Sequence, residues 1–230
     1  MTFDDTTRMR VLQAAGPVFA EKGYRAATVR EICNEAGVNV ASVNYHFGDK
    51  ERLYIETVKR AHQLRAESVP IPKWPTGTAP EAKLKDFIRT LITRMVGTDA
   101  APWQSRLMMR EMLQPTSACR ELAQDSIRPD FELLLGILDE MLPSDVPRFR
   151  RQQIAFSVVG QCLFYRVAGE IVSMLVGEDD LKEHYALEQL AEHIAQVCLA
   201  ALGAAQPLAP KMRDRPASDH SRKHKLTADS

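Results

Sequence analysis

Residues 28–54, TVREICNEAGVNVASVNYHFGDKERLY, contain the start and stop signals of consecutive helices within one short stretch. Thr28-Val29-Arg30-Glu31 is a capping box: the Thr28 hydroxyl can accept from the Glu31 amide while the Glu31 carboxylate reaches back to the amide of Thr28. The helix that follows turns Val29, Ile32, Cys33 and Ala36 to one side and ends at Gly37, the residue best suited to the left-handed conformation after a helix. Asn39 can cap a third, short helix whose Val43 and Phe47 lie four apart and face a core. That leaves Val40, Ala41, Ser42, Asn44, Tyr45 and His46 mostly around the outside. Gly48 breaks the chain again, and Asp49 caps a fourth helix from Lys50 to about Ser68 with Leu53, Val58, Ala61 and Leu64 on its buried side. Two helices joined by a short turn containing Gly, the second presenting no large hydrophobe outward, is the helix-turn-helix arrangement. A plain three-helix core shares that pattern and stays open at this point.

Working outward, segment 7–23 places Leu12, Ala15 and Phe19 on one face, with Val11 and Val18 beside them and Gly23 as a stop. Pro17 lies inside it, so a kink or loosened turn is expected there. Residues 69–80, dense in Pro and Gly, read as an irregular linker. Beyond them the pattern is helical at about 80–97, 103–114, 117–142, 148–176 and 181–203, with no strand pattern competing. The expected fold is therefore all-α. It comprises an N-terminal helix-turn-helix domain over 1–52, a larger helical domain over 53–203 and a tail over 204–230 expected to be disordered. From Lys211 that tail holds six Lys/Arg against three Asp/Glu, which reads as a solvated end or as an arm touching DNA.

The 45% hydrophobic and 26% charged residues belong to an ordinary globular chain with a real core. No apolar run approaches the roughly 18 residues of a membrane span, and MTFDDTTRMR has no signal-peptide stretch, so a cytoplasmic protein without membrane association is expected. Cys33, Cys119, Cys162 and Cys198 are widely spaced, with no C-x-x-C pair, and are expected as buried free thiols. The net charge of zero is unusual for a nucleic-acid binder. Affinity, however, depends on where Lys and Arg stand relative to phosphates, and a local basic face is compatible with a neutral total.

The stretch 28–54, extended by VFAEKGYRAATV and the first helix to about residues 8–65, resembles the DNA-binding segment of TetR/AcrR-type repressors. RLMMREMLQPTSACREL, residues 106–122, is similar to the effector domain of the CecR-like (YbiH-like) subgroup. The resemblance implies an all-helical homodimer whose recognition helices enter successive major grooves of a palindromic double-stranded operator, with repression relieved by a small-molecule inducer of unidentified structure. It implies phosphate contacts from Thr28 and Arg30, base-edge or backbone contacts from Val40, Ala41, Ser42 and Asn44, and flanking phosphates held by Tyr45, His46 and Lys50. Many family members carry Tyr where Asn44 stands, so Asn44 reads either a base or a phosphate. His46 could instead be packed under the helix. The resemblance also suggests control of a drug-export or transport operon.

Half-sites a helical turn apart require a dimer. Candidate interface positions are Ile154, Val158, Gln161, Cys162, Tyr165 and Ile171 on one helix and Leu187, Leu190, Ile194, Val197 and Leu202 on the next, although an intramolecular core claims some of them. Gly160 and Gly169 would permit close approach or mark bends. An effector pocket would be apolar with a few polar groups. Met108, Met109, Met112, Phe131, Phe164 and Tyr165 are its candidate lining, with Arg110, Glu111 and Gln161 to orient a ligand, and a simple core stripe is the competing reading. Tilt of the fourth helix is the expected transmitter.

No cofactor, metal site or enzymatic activity is expected. His184 and His193 are nine apart, unlike the i, i+4 spacing of a helical zinc pair, and there is no phosphate loop or nucleophile elbow. The competing function is an interaction module of the same fold without operator binding, which ten Lys/Arg against nine Asp/Glu through residue 67 leaves open.

Overall fold

The computed structural model describes residues 3–97 and 102–205. Among them every regular element is helical. The first four helices are α1 (Phe3–Ala26), α2 (Val29–Ala36), α3 (Val40–Phe47) and α4 (Lys50–Ser68). After the Pro-rich segment come α5 (Pro80–Val96), α6 (Pro102–Leu113), α7 (Ser117–Glu121), a π-helical turn (Leu122–Ile127) and α8 (Arg128–Met141). The chain continues through α9 (Arg148–Val167), α10 (Gly169–Val176), α11 (Glu178–His184) and α12 (Leu187–Ala201).

Apolar side chains separate into two clusters. The first joins α1–α4 and is completed from below by Leu107 of α6, Ala118 of α7 and Leu122. Val11, Ala15, Phe19, Ile32, Val43 and Leu53 are fully buried in it. The second is built by α5, α8, α9 and α12 around Leu84, Ile88, Leu134, Leu138, Val158 and Ile194. The reading head is thus seated on α6 and α7, and α4 leads from it into the body.

The close seat of α6 has a sequence cause. A Cβ at Gly16 would lie 2.5 Å from the Trp103 ring, so only glycine lets α1 and α6 approach this far. Pro17 next to it does not break α1, in which Gly23 alone has non-helical dihedrals, at φ 74 and ψ 174. The kink expected at Pro17 is absent from the dihedrals, and the stop expected at Gly23 is where the helix breaks, in a conformation other residues avoid.

Three long helices expected from periodicity are divided. The stretch 117–142 is interrupted by the π turn, which ends at Ile127, two residues before Pro129 in the first turn of α8. Proline has no amide to donate four residues back, and the Arg128 amide bonds instead to Ala123 O, five residues back. The stretch 148–176 bends by 74° between α9 and α10 at Ala168-Gly169. The last helix begins at Leu187 and not near 181, a separate turn of helix, α11, preceding it.

The cysteines are free. Cys33, Cys162 and Cys198 are buried, and Cys119 is half-buried. Burial pushes the Cys162 thiol up to about 12, so it is an unreactive core group at neutral pH. No single described helix is long and apolar enough to cross a membrane. The tail expectation falls, from 206 on, outside the described residues.

Candidate nucleic-acid interface

Each helix of the head is started by its own side chain. Thr28 Oγ1 accepts from the Glu31 amide at 3.2 Å, Asn39 Oδ1 from the Ser42 amide at 2.8 Å and Asp49 Oδ1 from the Arg52 amide at 2.8 Å. The Glu31 carboxylate closes the box and is held below the ordinary carboxylate range, chiefly by its hydrogen bond to Lys22. Gly37, at φ 63, ends α2 with its amide bonded back to Asn34 O and Cys33 O. Arg10 of α1 clamps this turn, its Nη2 donating to Ala36 O at 2.6 Å and to Gly37 O at 3.2 Å.

Locked in this way, α3 buries Val43 and Phe47 and turns its other side outward. Val40, Ala41, Asn44 and Tyr45 are exposed, Tyr45 at 77%, while Ser42 and His46 are half-buried. Ser42 Oγ donates to Asn39 Oδ1 at 3.0 Å, so its hydroxyl also serves the cap. The His46 ring sits edge-on between its neighbours, 5.1 Å from Tyr45 and 6.2 Å from Phe47. Thr28 and Arg30 stand exposed at the start of α2, where unpaired amides favour phosphate. Lys50 is half-buried at the start of α4: its Nζ donates to Arg25 O at 3.3 Å and lies 4.8 Å over the Tyr24 ring. The exposed predicted residues stand at the α2 start and on the α3 outer face, with half-buried Lys50 at the α4 start.

Sequence reasoning missed Arg10 and Tyr24. Their partners lie 26 positions away in the chain for each, Ala36 for Arg10 and Lys50 for Tyr24, so neither had a local signal. From Tyr24 a chain of contacts runs inward. Its ring lies 5.1 Å from Tyr54, whose hydroxyl donates to the Glu111 carboxylate at 2.8 Å. Glu111, only 1% exposed, also accepts from the Thr116 amide at 2.6 Å and the Thr116 hydroxyl at 2.9 Å. Burial, then the hydrogen bond to Glu111, raises the Tyr54 pKa. Glu111, expected to orient a ligand, instead ties α4, α6 and the start of α7 together.

The other candidates for ligand contact are dispersed. Met108 packs on the head cluster, Met112 is exposed, and Phe131 stacks on Phe156 at 4.8 Å. Gln161 Nε2 donates to Cys198 Sγ at 3.3 Å, Phe164 is exposed and Tyr165 borders the second cluster. Only Met109 and Arg110 of that set line a cleft of about 600 Å³ between α5, α6 and α9. Arg110 Nε donates to Ala20 O at 3.0 Å and Nη2 to Glu21 O at 2.7 Å. Of the positions assigned to a dimer interface, Val158, Cys162, Leu190 and Ile194 are buried within the chain's own core. The exposed apolar stripe of α9 is instead Phe149, Phe156, Phe164 and Val167, continued by Ile171, Met174 and Leu175 on α10.

Residues 11–57 match the tetR family of bacterial regulatory proteins, and residues 80–202 match the C-terminal domain of the HTH-type transcriptional dual regulator CecR. CecR of Shigella flexneri is 26% identical over 183 residues, covering 75% of this chain and 81% of that protein. A TetR-family regulator from Mesorhizobium loti shares the fold with a TM-score of 0.60 at 18% identity, over 87% of this chain and 98% of that one. AibR, solved in complex with isovaleryl coenzyme A and operator DNA, has a TM-score of 0.59 at 16% identity, over 83% of this chain and 97% of its own.

Proposed function

This chain belongs to the TetR family of DNA-binding transcriptional regulators and carries a CecR-type C-terminal domain, and from that premise we propose a homodimeric repressor released from a palindromic operator by a small molecule. The observation that carries the reading is the α3 outer face, on which Val40, Ala41, Asn44 and Tyr45 are exposed, held in place by Asn39, Arg10 and Gly37. Residues 1–52 form the reading domain, 53–203 the effector and dimerisation domain and 204–230 a tail. The protein acts in the cytoplasm, where its operator lies, and as a regulator, not a catalyst.

Val40, Ala41, Ser42 and Asn44 face base edges or the adjacent backbone. Asn44 supplies a donor and acceptor pair to adenine, worth about 1–3 kcal/mol of discrimination. Thr28, Arg30, Tyr45, His46 and Lys50 hold phosphates. Lys50 is braced by Arg25 O and the Tyr24 ring, which keeps its ammonium at the rim. The second copy covers the exposed α9 stripe, whose steps of seven, eight and three residues keep it on one helix face. The inducer sits in the effector domain, where Met109 and Arg110 border the cleft of about 600 Å³ and Tyr165 borders a second one of about 500 Å³. The regulated operon serves export or membrane transport.

The test is a gel shift with DNA flanking the gene, raising salt and adding unrelated competitor. Expected are salt-sensitive binding that survives competitor, uniform weakening by Lys50→Ala and altered sequence preference in Asn44→Ala. A verified dimer that holds no DNA even at low salt supports the interaction-module reading instead.

A further inference from the structure

One face of α6 carries Arg106, Met109, Arg110 and Leu113, and with Val96 of α5 and Arg166 of α9 it lines the 600 Å³ cleft. Among the described residues the lining holds three guanidinium groups and no carboxylate. Arg106 and Arg166 make no hydrogen bond or ion pair among the described residues. Like charges converging on one concavity raise its potential and attract an anion, and the planar guanidinium fork matches carboxylate and phosphate oxygens. Val96, Met109 and Leu113 give the same cleft an apolar wall.

Arg110 faces two ways. It lines the cleft, while its guanidinium holds Ala20 O and Glu21 O of α1 shortly before the Gly23 break. A Cβ at Gly23 would itself lie 2.9 Å from Arg110 Nη1, so the guanidinium fills the space at that break. The same α1 carries Arg10, which clamps the turn between α2 and α3. An anion in the cleft and the end of α1 therefore compete for one guanidinium.

We propose that this cleft binds an amphiphilic anion, a carboxylate or phosphate ester bearing a short apolar chain, and that its head draws Arg110 from α1, loosening the reading head. The inference rests on the regulator reading for its effect on DNA, but not for the binding itself. Backbone carbonyls offer Arg110 only neutral acceptors, whereas a ligand anion offers a charged one with a stronger hydrogen bond.

The full-length dimer is titrated calorimetrically with octanoate, octyl phosphate and octylammonium, and Trp103 emission is followed because its ring abuts Gly16 at the α1–α6 contact. Both anions are expected to bind and the cation not to. Arg106→Gln/Arg166→Gln, with unchanged melting, should weaken the anions by at least about tenfold, as expected for lost hydrogen bonds to charged groups. Anion should lower operator affinity by about 5–150-fold in the natural protein. In Arg110→Lys it should still bind, yet leave operator affinity and Trp103 emission unchanged. Equal binding of octylammonium, anion binding undiminished in the double variant, or a full operator response in Arg110→Lys overturns the proposal. If no DNA is bound at all while the anions titrate as stated and shift Trp103 emission only when Arg110 is present, the regulator reading fails and the cleft assignment stands.

Discussion

The reading head and the body that carries it are both helical, yet their helices begin in different ways. In the head, Thr28, Asn39 and Asp49 each accept from an amide three residues on. In the body, α5, α8, α9 and α10 begin at Ala79, Ile127, Pro147 and Ala168, none of which makes a side-chain cap hydrogen bond. The short helices α2 and α3, of eight residues each, gain little from propensity and are held by such ends, whereas α10, also of eight residues, begins without one. The longer body helices obtain their stability from burial against one another, and their ends are placed by packing and by proline. The difference teaches where the protein requires rigidity: the surface that must match DNA is fixed by a side-chain bond at the start of each of α2, α3 and α4, whereas in the body α12 has one, Gln189 Oε1 accepting from the Ala186 amide at 3.0 Å, and α5, α8, α9 and α10 do not.

Substitutions can break that contrast. Phe19→Ala removes a fully buried ring that packs edge-on at 4.9 Å against Tyr54 in the head cluster. It should cost about 3–5 kcal/mol in urea unfolding and abolish DNA binding. Leu134→Ala, fully buried in the other cluster, should cost about 2–5 kcal/mol while sparing any DNA binding the folded fraction shows. If both variants lose DNA binding in proportion to stability alone, the two clusters act as one unit and the contrast is wrong.

Glu111→Leu leaves the Tyr54 hydroxyl and the Thr116 amide and hydroxyl without their acceptor at a buried site where head meets body. An expected loss of about 2–4 kcal/mol follows from these stranded donors. Tyr54→Phe together with Glu111→Leu should cost less than the sum of the single changes, and strict additivity in the double-mutant cycle would show that the two groups are not coupled.

Caps come next in size. Thr28→Ala and Asn39→Ala should each lower stability by about 0.5–2 kcal/mol. Ala79→Ser, at the uncapped start of α5, should gain up to about 1 kcal/mol. A body helix that gains nothing from a cap would sharpen the contrast further, since its end is then held wholly by packing.

The smallest effect concerns pH. Burial lowers the pKa of His62 on α4, with the charges of Arg94 and Arg65 adding to it and Asp130 opposing. A histidine depressed in the folded state is kept neutral there, so its contribution is intact above its ordinary value of 6.5 and is lost as pH falls below it. Unfolding followed from pH 7.5 downward should show stability declining below about 6.5, and His62→Gln should flatten that decline. An unchanged slope in the variant would assign the decline to other groups.

The head was nearly complete in the sequence. Its caps, its stops at Gly37 and Gly48 and the inward set of Val43 and Phe47 are local patterns, and the structure places them as expected. Arg10 and Tyr24 were not legible there, since their bonds reach across the fold. The body was legible as helices but not as boundaries. Periodicity alone carried the reading through Pro129 and Ala168, where the missing proline amide and the bend to α10 end the runs. The candidate ligand set failed to converge for the same reason. Met108 and Met109 are adjacent in sequence, yet one packs on the head and the other borders the cleft.

By itself, then, the sequence determined an all-helical chain with a capped helix-turn-helix and the residues that α3 turns outward. Those follow from interactions spanning three or four positions, which the order of residues along the chain sets locally. Only the tertiary structure decided that Glu111 is a buried tie, that Arg110 joins a cleft to the end of α1 and that the apolar face left open on α9 is Phe149, Phe156 and Phe164. Whether a charged or apolar side chain is buried, shared or exposed depends on what distant elements bring against it, and no local pattern records that.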